Sequence, residues 1–400
     1  MAVPLALARR RNYAGPAIFS YGFRPFFFGG ALWAALAVAL WLPQYFGEIA
    51  LPIAVAPLDW HIHEMLYGYV AAVIAGFLLT AVPNWTGRLP ICGLPLAALA
   101  SLWLAGRVAM LISAKTGYAV AAAIDAAFLI TLAVVALREI VAGRNWRNLR
   151  LLAVLLVLIG GNIVWHVEVL RAGAGEFGPR IAIAAVIGLL MTVGGRIVPS
   201  FTHNWLARRN PGRLPVPFSR YDAASMAVAG LALALWVVLP THAVSGVLLV
   251  AAGVLHAIRL GRWAGDRTLT DRLVLVLHVA YAFVPLGFLL IGSAILSPST
   301  VPISAGLHAW TAGAIGLMTL AVMTRAALGH TGRPLTASAA TQAIYAFALV
   351  AVLARVVAAF VGSFELLHLA AFAWLAAFGG YAATYAPLLL LRPPAWARRA

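Results

Sequence analysis

Two histidines and a glutamate open the hydrophobic stretch WHIHEMLYGYVAAVIAGFLLTAVPNWTGRLP, residues 60–90, and that grouping is the first chemistry the chain offers. Neutral imidazole ligates haem iron, copper and zinc. Ionisable groups inside an apolar span are costly and tend to mark a site. The stretch has an echo: with His63 laid over His308 the register holds for twenty-five residues, placing Gly68 on Gly313 and Thr86-Gly87-Arg88 on Thr331-Gly332-Arg333. His61 and His63 stand about 200° apart around a helix, so one ligand cannot take both. His63 is expected to face inward with Tyr67, and His61 to belong to the entry turn.

These residues must be positioned by membrane helices. Of 400 residues, 64% are hydrophobic and 10% charged, with a mean hydropathy of +0.96, outside the range of ordinary soluble domains. Apolar runs of the required length, about 20 residues, fall at 26–46, 60–82, 94–114, 118–140, 149–171, 180–203, 221–240, 243–262, 271–297, 302–328, 338–362 and 364–391. The expected fold is therefore all-α, a single twelve-helix transmembrane domain over 26–391 with a short arm at 1–25 and a basic tail at 392–400. The net charge of +17 is concentrated in alternate connections, which places both termini in the cytoplasm by the positive-inside rule. With no soluble basic domain to carry it, nucleic-acid binding is excluded. The single cysteine, Cys92, excludes internal disulfides and c-type haem attachment. Gly173, Gly175 and Gly178 match a dinucleotide fingerprint in spacing only, since no strand precedes them.

The second and tenth spans are eight apart, and the sixth, midway, ends in a similar Pro, Thr and aromatic sequence. A period of four spans predicts three quasi-equivalent four-helix groups. The predicted topology puts His63, His166 and His308 near the outer surface. It also puts Arg107, Asp125 and Arg355 about 10 Å below that surface, at 1.5 Å per residue. His63 and His308, on opposing spans, are the expected pair to clamp a b-type haem, with Arg107 and Arg355 as its neighbouring cations. Arg107 and Asp125 are the expected ion pair, Arg355 is left to a haem propionate, and Glu64 and Glu168 are candidate partners of histidine or proton acceptors.

The motifs FSYGFRPFFF, WHIHEML, GFLLTAVPNWTGR, GNIVWH, GGRIVPSFT, LHAWTAGAIG and LGHTGRPL resemble those of the NnrS family over nearly the whole chain. The resemblance implies a bacterial inner-membrane protein containing b-type haem and copper, produced in the nitric oxide response and protecting against nitrosative stress. It implies that the metal ligands stand among His61, His63, His166, His278, His308 and His330, inside the matching motifs. The twelve spans also resemble the core subunit of haem–copper oxidases and nitric oxide reductases. The adjacent His-His pair and the His-x-His spacing of that superfamily are absent, which argues against oxygen reduction of the oxidase type.

The expected function is binding or reduction of nitric oxide at a histidine-ligated site in the outer half of the membrane. The alternative is a transporter or handler of metal or haem that uses the same histidines transiently. No feature of the sequence identifies an electron donor.

Overall fold

A computed structural model describes residues 13–209 and 212–391; the arginines of the arm at positions 9–11 and the tail at 392–400 lie outside the described residues. Each predicted span is a helix, and no strand occurs among the described residues. The spans are α1 Phe23–Tyr45, α2 Pro57–Pro83, α3 Leu94–Leu111, α4 Tyr118–Ala142, α5 Leu149–Ala172, α6 Phe177–Leu206, α7 Arg220–Val238, α8 Ala243–Gly261, α9 Arg272–Leu296, α10 Ile303–His330, α11 Ala339–Val361 and α12 Phe364–Leu390. Helices are the expected answer to such sequences, because lipid offers no partner to a free backbone N–H or C=O. The fold is thus that of an all-α polytopic membrane protein.

The described residues form two compact units. One takes in the chain up to Ala182, Ala326–Pro334 and the chain from Phe378 on; the other takes in Ile183–Arg325 and Leu335–Ala377. In the first unit α2 is the most enclosed helix, with 78% of its membrane window buried against 39% for α3. That difference makes α2 the core of the unit and leaves one face of α3 to lipid.

Three helices depart from regular α geometry. π-helical turns occupy Glu64–Val70 in α2, Leu190–Gly194 in α6 and Ala309–Leu317 in α10. The first begins directly after His63 and the third directly after His308, so the echo in sequence is also an echo in backbone geometry. A π turn widens the helix and leaves carbonyls without their usual partners, and such turns often lie at functional sites. Side chains answer here: Trp103 Nε1 donates to the Gly68 carbonyl at 2.9 Å, and Arg259 to the Met191 carbonyl at 3.3 Å. All three π turns fall on the helices that carry the four-span period.

The FSYGFRPFFF motif anchors the first unit. Arg24, buried, donates to the Leu389 and Leu391 carbonyls at 3.0 and 3.2 Å, satisfying acceptors at the end of α12. Tyr21 donates to the Thr80 carbonyl at 3.2 Å.

Candidate metal centre

The cluster sits inside the first unit, built from five consecutive helices. The π turn after His63 brings Glu64 beneath it on α2, while Asn162 and His166 are one turn apart on α5 and share a face. α4 supplies Asp125 and α3 supplies Arg107. His63, Glu64, Arg107, Asp125 and Asn162 are each 2% exposed or less.

Asp125 is the hub. Its Oδ2 lies 3.1 Å from His63 Nε2, 3.0 Å from His166 Nε2 and 2.9 Å from Asn162 Nδ2, while Arg107 donates to its Oδ1. The other nitrogen of His63, Nδ1, lies 3.0 Å from Glu64 Oε1. Glu64 Oε2 accepts from Arg107 at 2.5 Å and from Trp33 Nε1 at 2.7 Å. The other nitrogen of His166, Nδ1, lies 2.8 Å from the Tyr118 hydroxyl. A continuous line therefore runs Trp33, Glu64, His63, Asp125, His166, Tyr118, and Arg107 bridges its two carboxylates.

Charge counting shows what this cluster lacks. Two carboxylates and one guanidinium sum to −1 in a water-poor interior, where an uncompensated charge is expensive. His63 faces a carboxylate from each ring nitrogen, and a neutral imidazole has one N–H to give. One further positive charge satisfies both conditions, either a proton shared within the His63–carboxylate line or a bound cation.

The residues fit a metal cation. Atoms of His63, Asp125 and His166 all lie within 4.8 Å of one another, the grouping expected of ligands around one ion. Their N···O separations of 3.0 and 3.1 Å are close enough for the three atoms to reach one ion about 2.0–2.1 Å from each. Asn162 Oδ1 is buried with no hydrogen-bond partner among the described residues, an orphaned acceptor beside the hub. Two imidazoles and a carboxylate suit copper or zinc.

The surroundings keep water out. The Trp165 ring lies 4.3 Å from that of His63, and the Tyr67 ring 5.2 Å from it. Tyr67 is held by its hydroxyl on the Gly178 carbonyl at 3.1 Å. The chain between α5 and α6 packs on Trp165 so closely that a Cβ on Gly175 would overlap the indole, and one on Gly178, at the start of α6, would overlap the Cβ and backbone nitrogen of the same residue. The dinucleotide-like spacing of glycines there serves this contact, and Gly173 ends α5 in the left-handed conformation.

The remaining candidates lie elsewhere. His61 stacks on Trp41 at 4.1 Å, turned away from His63 as the two-residue spacing requires. Glu168 accepts from the backbone N–H groups of Glu176, Phe177 and Gly178 at 3.1, 2.9 and 3.0 Å, so it caps the start of α6. His330 stacks on Phe23 and meets Tyr21 edge-on. In the second unit, His278 Nε2 lies 2.8 Å from the Thr202 hydroxyl. His308 Nδ1 donates to the Ser304 carbonyl at 2.7 Å, leaving Nε2 with its lone pair. Arg355 lies on α11 in the same unit. Asp125, expected as the ion-pair partner of Arg107, is that and also the shared partner of both imidazoles. Asn162, Trp33, Tyr118 and Trp165 complete the centre without having been singled out as site residues from sequence. Asn162 and Trp165 carried a signal, both sharing the GNIVWH motif with His166, Asn162 at helical spacing from it.

The fold and site together define a polytopic membrane protein with a buried histidine–carboxylate centre. The chain belongs to the NnrS family, described as NnrS protein, which it matches over residues 17–393. That range includes all twelve spans, and membership supports a membrane protein of the nitric oxide response. No curated protein matches the chain.

Proposed function

We propose that this is a haem- and copper-binding protein of the bacterial inner membrane that binds nitric oxide or reduces it. The observation that carries the copper assignment is the convergence of His63 Nε2, His166 Nε2 and Asp125 Oδ2 in a buried cluster one positive charge short of neutral. Copper supplies a one-electron couple and an exchangeable coordination position when bound. The protein's own residues orient the ligands: Glu64 holds Nδ1 of His63, Tyr118 holds Nδ1 of His166, and Arg107 fixes both carboxylates. Trp165 and Tyr67 exclude bulk water, and nitric oxide, small and lipid-soluble, needs no polar channel to reach the cluster. Without copper, the same side chains form a line of hydrogen bonds from Asp125 through His166 to Tyr118.

The haem assignment rests on His308. Its Nδ1 is committed to the Ser304 carbonyl, which fixes the tautomer and leaves the Nε2 lone pair as the group that would hold haem iron. Arg355 is the cation we assign to a propionate. The placement of both termini in the cytoplasm rests on the arginine distribution.

The test is the optical spectrum of purified protein, oxidised and dithionite-reduced, with and without nitric oxide, together with haem and copper content. A b-type spectrum that shifts with the gas, and copper near one per chain, supports the proposal. Haem and copper that are lost on purification and exchange freely on re-addition support the metal-handling alternative.

A further inference from the structure

We propose that the arginine-lined cavity at one end of α3 and α4 is a binding site for an anionic glycerophospholipid. The cavity, about 720 Å³, lies between the start of α3, the end of α4 and the segment 87–92. Its volume falls in the range that encloses small ligands, about 300–1,000 Å³. The interior is apolar, walled by residues such as Leu99, Leu102 and Val135, while the polar side chains Arg88, Arg138 and Glu139 line the same cavity.

The charges there do not cancel. Arg88 Nε donates to Glu139 Oε2 at 2.6 Å, which uses the one carboxylate. Arg138 is exposed and makes no hydrogen bond or ion pair among the described residues. The cavity thus combines one uncompensated guanidinium with a hydrocarbon-lined interior. An anionic headgroup on an acyl chain meets both features at once, and basic pockets between membrane helices select such lipids. A lipid can enter from the side, since only 39% and 44% of the α3 and α4 windows are buried.

Cys92 lines the cavity and is the only cysteine in the chain, so a maleimide reports on this place alone. The full-length protein is reconstituted into phosphatidylglycerol or phosphatidylcholine vesicles and the labelling rate of Cys92 is measured. Phosphatidylglycerol is expected to slow labelling by about fivefold, the factor one arginine contributes to holding an anionic lipid, and Arg138→Gln to remove that protection. Ala98→Trp, which fills the exposed edge of the cavity and leaves the charges in place, is expected to lose the phosphatidylglycerol that native mass spectrometry finds on the wild type. Equal protection by phosphatidylcholine, equal protection by inorganic phosphate in phosphatidylcholine vesicles, or unchanged protection in Arg138→Gln would overturn the assignment. Unchanged lipid retention in Ala98→Trp would do the same.

Discussion

Replacing Asp125 by asparagine keeps the shape of the hub and removes its charge. In the native cluster Glu64, Asp125 and Arg107 sum to −1, so a bound cation is partly or fully compensated. In the Asp125→Asn variant the sum is zero, and the same cation stands uncompensated among side chains no more than 5% exposed. Removing one partner from a buried charge arrangement costs about 3–5 kcal/mol. At 1.4 kcal/mol per decade that corresponds to about two to three and a half decades in metal affinity. The assay is copper titration of the apo-protein in detergent, following binding by competition with a chromogenic chelator. Glu168→Gln is the control: it also loses a carboxylate, but one that caps α6. The expected result is a loss of at least about a hundredfold for Asp125→Asn and wild-type affinity for Glu168→Gln. Equal copper affinity in Asp125→Asn and the wild type would refute the charge argument and return the cluster to a hydrogen-bond network closed by a proton.

Three further outcomes follow from the geometry. His308→Ala is expected to abolish the b-type haem absorbance and leave copper in place, whereas His63→Ala does the reverse; metal analysis and spectra of the two variants check the division. Gly68→Ala puts a Cβ 2.8 Å from both Arg107 Nη1 and Glu64 Oε2 and 2.9 Å from Trp33 Nε1, so overpacking should cost about 1–3 kcal/mol, read as a lower unfolding temperature in detergent together with loss of copper. Arg24→Leu leaves the Leu389 and Leu391 carbonyls without their donor, and thermal unfolding should show a loss of about 1–3 kcal/mol with copper content unchanged in the folded fraction.

The membrane helices were legible because lipid imposes a length that soluble folds do not. Most span limits agree to a few residues, for instance 118–140 expected against Tyr118–Ala142 observed. α6 was expected from 180 and starts at Phe177, since Pro179 is tolerated in a first turn. The opposed directions of His61 and His63 followed from helical geometry alone, as did the Arg107–Asp125 pair from their common depth. The π turns were not legible: an extra residue per turn leaves no periodic mark in an apolar run. Nor was the role of Glu168, because an acidic residue near a helix end reads the same whether it meets a histidine or a row of backbone N–H groups. Trp33 stands in a uniformly apolar span, where its indole N–H gives no sign that a buried carboxylate waits on the next helix. The echo between the second and tenth spans was visible in sequence as matched glycines and histidines. Its backbone expression, a π turn immediately after His63 and another after His308, required the structure.

The claim on which the account turns is that His63, His166 and Asp125 hold copper. X-ray absorption at the copper edge of the purified, copper-loaded protein addresses it directly. The account predicts a first shell of nitrogen and oxygen only, at about 2.0–2.1 Å, with the outer-shell scattering of two imidazoles, reduced to one in His166→Ala. A sulfur in the first shell, or a spectrum unchanged by His166→Ala, would place the copper elsewhere and contradict the account.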